Sequence, residues 1–367
     1  MSESSSEIAL KWLTLWDEKI RHRKWLFDSY SRYVGNLVRN GFPPVFEMRH
    51  FAALVGLEET TIAWMLEKNA GFYRTLQIPK RLGGVREISA PSPTLLHVQR
   101  WILRNILDKV KPHDCCYGYI PQKSAIENAK QHLGSKTVLK MDLANFFPSI
   151  ELRRGIAIFR AIGYTGRVSY CLALLCFKDG KLPQGGAASP SISNIVGKRM
   201  DLRLSTLASR NNLRYTRYAD DMTFSGDEIS WKFVAAVELI AREEGFCVNR
   251  EKTRLIREGR AKVITGVSIS SGEARLPRRT VRDIKNEAYN ILRNGLEQHA
   301  ERTHNFDPIA IERLLGRINF WLQVEPTNQT ALNYRYRLLE YQKFLDAHGL
   351  GLPEDRSDRS LILGGPS

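Results

Sequence analysis

The sequence predicts an α+β fold: a small sheet assembled from the middle of the chain, with helices between its strands and a helical last third. Three observations carry this. Residues 213–226, LRYTRYADDMTFSG, read as two short strands around a turn bearing Asp220 and Asp221, since Tyr, Thr, Met and Phe suit half-buried strands. TVLKMDL at 137–143 reads as a further strand ending in Asp142. Beyond residue 275 the apolar residues recur at three- and four-residue steps, the helical period.

The remaining elements follow in order. Residues 8–40 read as one or two helices, with Trp12, Leu13, Trp16 and Ile20, then Trp25, Leu26, Tyr30, Tyr33, Val34 and Leu37 at helical spacing. Helical patterns resume over about 47–70. FYRTLQIPKRLGGVREISAP reads as two strands joined across Gly83-Gly84, with Lys80, Arg81 and Arg86 near the tip. Thr94–Val110 is predicted helical, with Leu95, Val98, Ile102 and Ile106 on one face. After Asp142, Ser149 is a candidate cap for a helix bearing Leu152, Ile156 and Phe159, and Ser189 a candidate cap for a helix with Pro190 at its first position. Trp231–Glu244 is helical, and segments around Lys252 and Gly266 read as strands. Pro277–Gln298, Ile309–Val324 and Ala331–His348 supply three amphipathic helices, and 351–367 reads as a flexible tail.

The charge balance narrows the partners. Lys and Arg number 55 against 39 Asp and Glu, a net charge of +16, which points to nucleic acid or an anionic surface. No apolar run approaches the roughly 18 residues needed to cross a bilayer, and the polar start MSESSSE does not resemble a signal peptide, so a cytoplasmic protein without a membrane partner is expected. Five cysteines without Cys-x-x-Cys spacing argue against a disulfide framework or a zinc site; Cys171 and Cys176, in CLALLC, read as core residues.

Asp220 and Asp221 repel one another, so keeping both needs a reason. A lone Tyr-x-Asp-Asp is ordinarily just a polar turn. Two-metal phosphoryl transfer is the sharper reading, in which ions about 3.5–4 Å apart clamp the attacking and leaving oxygens. Asp142 sits where α/β proteins carry chemistry, at the carboxyl end of a strand, and the spacing to Asp220 admits two helices between neighbouring strands. Gly185-Gly186, in LPQGG, lets backbone approach a ligand closely. Lys80 and Arg86 suit a triphosphate, though a solvated turn fits them equally. Arg278, Arg282 and Lys285 lie at i, i+4 and i+7, where a solvated face is the ordinary reading and a phosphate-tracking face the alternative. His132 alone reads as a core histidine.

Taken together, Asp-x-x-x-Phe-Phe, Leu-Pro-Gln-Gly, Tyr-Ala-Asp-Asp, a Lys-bearing segment and an apolar strand pair occur in the order of motifs A to E of reverse transcriptases, which residues from about 72 to 324 resemble. Asn128-Ala129-x-x-His132 and the fingers pattern of 86–107 are similar to the bacterial retron enzymes; Ile264-Thr265-Gly266 departs conservatively from their Val-Thr-Gly. The resemblance implies a right-hand polymerase: an N-terminal helical extension (1–70), fingers (71–138, with part from 150–190), palm with an antiparallel sheet (139–274), helical thumb (275–350) and tail (351–367).

It also implies roles. Asp142, Asp220 and Asp221, with the Leu143 carbonyl, would bind two Mg²⁺ ions. Phe147 would gate against the ribonucleotide 2′-OH, Gln184 and Gly185 would line the nucleotide pocket, and Lys80 and Arg86 would hold the triphosphate. Lys252 would protonate pyrophosphate and Tyr218 touch the primer end. Asn128 and His132 would contact RNA or support local structure, and Arg278, Arg282 and Lys285 would track RNA. The implied activity is dNTP-dependent copying of part of a cognate structured non-coding RNA of the msr-msd type. It would be primed from an RNA 2′-OH, give branched RNA–DNA (msDNA), and serve antiphage defence with an effector protein. Alternatives are a group II intron or diversity-generating reverse transcriptase, or a non-catalytic RNA-binding scaffold.

Overall fold

A computed structural model describes residues 24–79 and 84–348. The helical pattern from Trp12 to Ile20, the hairpin-tip residues Lys80 and Arg81, and the tail at 351–367 lie outside the described residues. By internal contacts the chain forms two units. The first holds the described residues up to Pro121, with Leu139–Phe224 and Ile229–Arg254; the second holds Gln122–Val138, Ser225–Glu228 and the described residues from Leu255 on.

In the first unit, β1 (Tyr73–Pro79) and β2 (Val85–Pro91) pair antiparallel, Tyr73 opposite Pro91 and Pro79 opposite Val85. Ser92 caps the helix Pro93–Asn105, accepting from the Leu95 N–H, and Leu95, Val98, Gln99 and Ile102 are buried. This helix stops at Asn105, short of the predicted Val110, and passes into a 3₁₀ turn at Leu107–Lys109. A four-stranded sheet joins β3 (Thr137–Ala144), β4 (Arg214–Tyr218), β5 (Asp221–Gly226) and β6 (Cys247–Ile256) in the order β4-β5-β3-β6. The two catalytic-candidate segments, β3 and β5, are thus neighbours although about eighty residues apart. Helices Leu152–Ile162, Gly166–Cys176, Ser189–Arg210 and Trp231–Glu243 contribute Phe159, Leu172, Leu204 and Val237 to the buried core. Tyr215 stacks on Phe224, ring centroids 4.6 Å apart. Cys171 and Cys176 are buried, as expected.

Two expected caps are corrected. The helix after β3 starts from Glu151, while the Ser149 hydroxyl donates back to the Phe146 carbonyl and closes the preceding turn. Ser189 lies inside its helix, whose cap position is Ala188. At Glu151 the chain is still extended (φ −82, ψ 156), so the helix begins only beyond it, whereas Ala188 already has helical dihedrals (φ −83, ψ −15), so Ser189 is drawn into the first turn.

The second unit holds the ends of β3, β5 and β6 and the two-residue strands β7 (Val263–Ile264) and β8 (Val267–Ser268), joined through Thr265 and Gly266, both at positive φ, and its other regular elements are helices. Ser124 and Glu127 form a reciprocal cap on the helix Ala125–Lys130. The predicted helix over 277–298 is two, Arg278–Asn294 and Leu296–Thr303, because Gly295 takes φ +86. With Ala310–Val324 and Gln329–His348 they bury Ile284, Ala288, Ile291, Leu314, Ile318, Trp321 and Tyr341. Among the described residues no helix is long and apolar enough to cross a membrane.

Candidate active site

The candidate site lies in the first unit, where β3 and the β4–β5 hairpin meet. The Leu143 N–H donates to the Asp220 carbonyl at 3.0 Å, fixing the end of β3 against the hairpin turn. Ala219 adopts φ +57, a strained left-handed conformation for a residue with a Cβ, and this sharpens the turn that presents Asp220. Asp221 is the first residue of β5 rather than a turn residue. Asp142 is buried, and Asp220 and Asp221 are half-buried.

Electrostatics mark these side chains as a group. The Asp220 carboxyl is raised above its ordinary value by burial, then by the charges of Asp221 and Asp142, against a lowering by Lys252. Burial raises Asp221 as well; Lys140 and Lys252 pull it down and Asp142 pushes it up. Lys252, on β6 beside β3, reaches both oxygens of Asp142 at 2.9 Å each. Among the described residues no three acidic, His or Cys side chains close on one metal-sized point in this conformation. The donor chemistry nevertheless fits a hard divalent cation: carboxylate oxygens are the ligands such ions take, and the mutual repulsion is what a cation relieves.

Around this centre stand several of the sequence-predicted residues. Tyr218 ends β4 and is half-buried. Phe147 follows β3, its ring 5.5 Å from that of the buried Phe146 in an edge-on arrangement. Arg86 is exposed on β2, opposite Ile78. Gln184 and Gly185 dock on the same strand: the Ser89 N–H donates to the Gln184 carbonyl at 2.8 Å. A Cβ on Gly185 would come within 2.8 Å of the Ser89 carbonyl oxygen, and its φ is +119. Close backbone approach is therefore real there, and the backbone it meets is that of β2. Lys80 lies outside the described residues.

Sequence reasoning missed the supports. Arg217 is wholly buried and donates to Asp201 through Nε (2.8 Å) and a terminal nitrogen (2.7 Å), and to the Ala219 carbonyl at 2.9 Å. It thus holds the strained residue immediately before Asp220. Its signal was present: on a strand Arg217 shares a face with Tyr215, so a charge there demands a buried partner. Which carboxylate would supply it was not readable. Gln99, also wholly buried, accepts from the Ala187 N–H at 3.0 Å and donates to Tyr73 and the Leu175 carbonyl, pinning the segment that carries Gln184.

The other predicted RNA-contact residues belong to the second unit. Asn128 and His132 are buried, which corrects the direct RNA reading. Asn128 donates to the Thr265 hydroxyl at 3.4 Å, and Thr265 donates to the Ala125 carbonyl at 2.6 Å. The Nδ1 of His132 lies 2.7 Å from the Ser225 hydroxyl. Burial leaves these side chains to local structure, Asn128 joining the helix Ala125–Lys130 to the β7–β8 turn and His132 joining the segment after that helix to Ser225 on β5. Arg278 and Arg282 are exposed, whereas Lys285 is half-buried with its ammonium 6.0 Å from the centre of the Trp321 ring.

Comparison with known proteins decides the family. Residues 78–291 match the family described as reverse transcriptase (RNA-dependent DNA polymerase). The chain belongs to the reverse transcriptases. It is 32% identical over 331 residues to the retron Mx162 reverse transcriptase of Myxococcus xanthus, covering 80% of this chain and 67% of the relative. It is 33% identical over 251 residues to the retron Ec86 reverse transcriptase of Escherichia coli, covering 68% of this chain and 74% of the relative. A solved telomerase from Candida albicans aligns at TM-score 0.45 and 11% identity, covering 79% of this chain and 65% of that one. By the family match and the retron relatives the protein is a retron-type reverse transcriptase, an RNA-directed DNA polymerase, and its own helices and sheets make the α+β fold expected of it.

Proposed function

We propose that this reverse transcriptase copies part of a cognate structured RNA of the msr-msd type, starting from an RNA 2′-OH and giving branched RNA–DNA, in cytoplasmic antiphage defence with an effector protein. The observation that carries the polymerase chemistry is the junction of β3 with the Asp220 turn, where the charges of Asp142 and Asp221 act on Asp220 and Lys252 reaches Asp142. The retron relatives support the finer reading. In this reading fingers, palm and thumb run over 71–138, 139–274 and 275–350.

Asp142 and Asp220, assisted by Asp221 and the Leu143 carbonyl, would hold two Mg²⁺ ions. Bound there, the ions supply charge stabilisation for the attacking hydroxyl and the leaving pyrophosphate. The chain's own residues do the rest. Arg86, with Lys80, takes the triphosphate; Gln184 and Gly185 line the nucleotide pocket. Phe147 excludes a 2′-OH beneath the sugar, and Tyr218 orients the primer end. Lys252, drawn from Asp142 as the substrate arrives, donates its proton to pyrophosphate. Arg278 and Arg282, with Lys285, contribute to a surface on which RNA affinity falls steeply with salt.

The test is to purify the protein from its host and sequence the nucleic acid bound to it, with and without ribonuclease. One discrete DNA joined to one RNA through a ribonuclease-resistant branch is expected. Heterogeneous RNA with no attached DNA would overturn the retron reading.

A further inference from the structure

Tyr119 has no place in the assignments above, and its surroundings are unusual. Residues 115–119 run parallel to β4: Cys116 bridges Arg217, the Tyr117 N–H donates to the Arg217 carbonyl at 2.8 Å, and the Arg217 N–H donates to the Cys115 carbonyl at 2.9 Å. The segment is pressed onto the catalytic hairpin. A Cβ on Gly118 would lie 2.5 Å from the Ala219 nitrogen, so only glycine passes there, and the Asn194 amide donates to the Gly118 carbonyl at 2.8 Å. The next residue is Tyr119 at φ +61, a conformation costly for an aromatic residue and kept only where the surroundings impose it.

That backbone carries a ring which is not used for the core. Tyr119 is 51% exposed. Its centroid stands 6.3 Å from that of Phe147 and 6.5 Å from that of Tyr218, the residues read as the sugar gate and the primer-end contact. Its hydroxyl, besides feeling partial burial, lies in the fields of Asp220 and Arg86, the groups read as metal ligand and triphosphate holder. An exposed aromatic face held rigidly among these groups is suited to stacking on a nucleoside.

We propose that Tyr119 is a substrate-contacting residue of the polymerase, its ring packing against the sugar and base of the incoming deoxynucleoside triphosphate. The inference rests on the reading of Phe147 and Arg86 as nucleotide-site residues. The strain at Tyr119 is what carries its ring to the hairpin, and the ring rather than the hydroxyl makes the contact.

Steady-state extension of a primer on an RNA template by the full chain tests this. Tyr119→Ala is expected to raise KM for the deoxynucleotide roughly tenfold or more, with kcat changed far less and primer–template affinity unchanged. Tyr119→Phe, which keeps the ring, is expected to match the unsubstituted enzyme, and with the ring half exposed both variants should melt normally. An unchanged KM in Tyr119→Ala, weakened primer–template binding in its place, or a Phe variant as impaired as the Ala variant would each overturn the proposal. Phe147→Val separates the underlying reading: if ribonucleotide exclusion survives it, the gate assignment falls, while the KM result still decides whether Tyr119 touches the nucleotide.

Discussion

Two ion pairs serve the same hairpin and differ in everything but charge. Arg217–Asp201 is wholly buried on both sides, bidentate, and tied onward to the Ala219 carbonyl. Lys252–Asp142 joins a lysine whose side chain is 58% exposed to a carboxylate that is 12% exposed. The first cannot be dismantled without leaving a charge in the core. The second can open to water at small cost and close again, as a group that must move during a reaction requires. One pair shapes the turn; the other occupies the site that the turn creates.

The comparison breaks most sharply at Asp220. Asp220→Asn keeps the shape but removes one negative charge, so DNA synthesis should fall by about a thousandfold or more. Its melting temperature in the absence of divalent ions should hold or rise, because repulsion among the carboxylates is relieved. A folded variant that still synthesises DNA would sink the assignment.

Next in size is Arg217→Met. Stranding Asp201 in the core should cost about 3–5 kcal/mol in denaturant unfolding. Adding Asp201→Leu should return most of that loss, since an apolar pair of similar volume replaces a buried ion pair. A single-variant loss below about 1 kcal/mol would show that the pair does not hold the turn.

Lys252→Ala should behave in the opposite way. Only the lysine end of the pair is in water, so the loss of stability should be about 1 kcal/mol, well short of that of Arg217→Met. Synthesis should drop about a hundredfold if the ammonium serves as general acid. Equal losses of stability and activity would erase the distinction between the two pairs.

The smallest effect is in the pH dependence of stability. Asp220 and Asp221 bind protons more tightly folded than unfolded, so their contribution to stability grows as pH falls through their raised values and levels off below the ordinary 3.8. Measured as the difference between the unsubstituted protein and Asp221→Asn without divalent ions, this slope should be present; added Mg²⁺ should flatten it. A slope of the opposite sign would mean that the pair is stabilised as ions.

Much of this was legible in the chain. The strand pair of LRYTRYADDMTFSG, a strand carrying Asp142 and the amphipathic helices after 275 are local patterns and they form, though β3 runs on to Ala144, Asp221 opens β5 and the helix over 277–298 breaks at Gly295. Local reasoning failed where a neighbour distant in sequence decided the outcome. Gly185 reads as room for close approach, but that the backbone it meets is that of Ser89 was not readable. Asn128 and His132 form a motif suggestive of RNA contact, yet burial turns them toward Thr265 and Ser225.

By itself the sequence determined the family and the type and order of most strands and helices, and it singled out three carboxylates as candidates, because these depend on residue type and on spacing along the chain. Only the tertiary structure decided that Asp201 answers Arg217, that Lys252 closes on Asp142, and that Gly118 carries Tyr119 onto the hairpin. Pairings between residues far apart in the chain depend on which elements fold against each other, and no local periodicity encodes them.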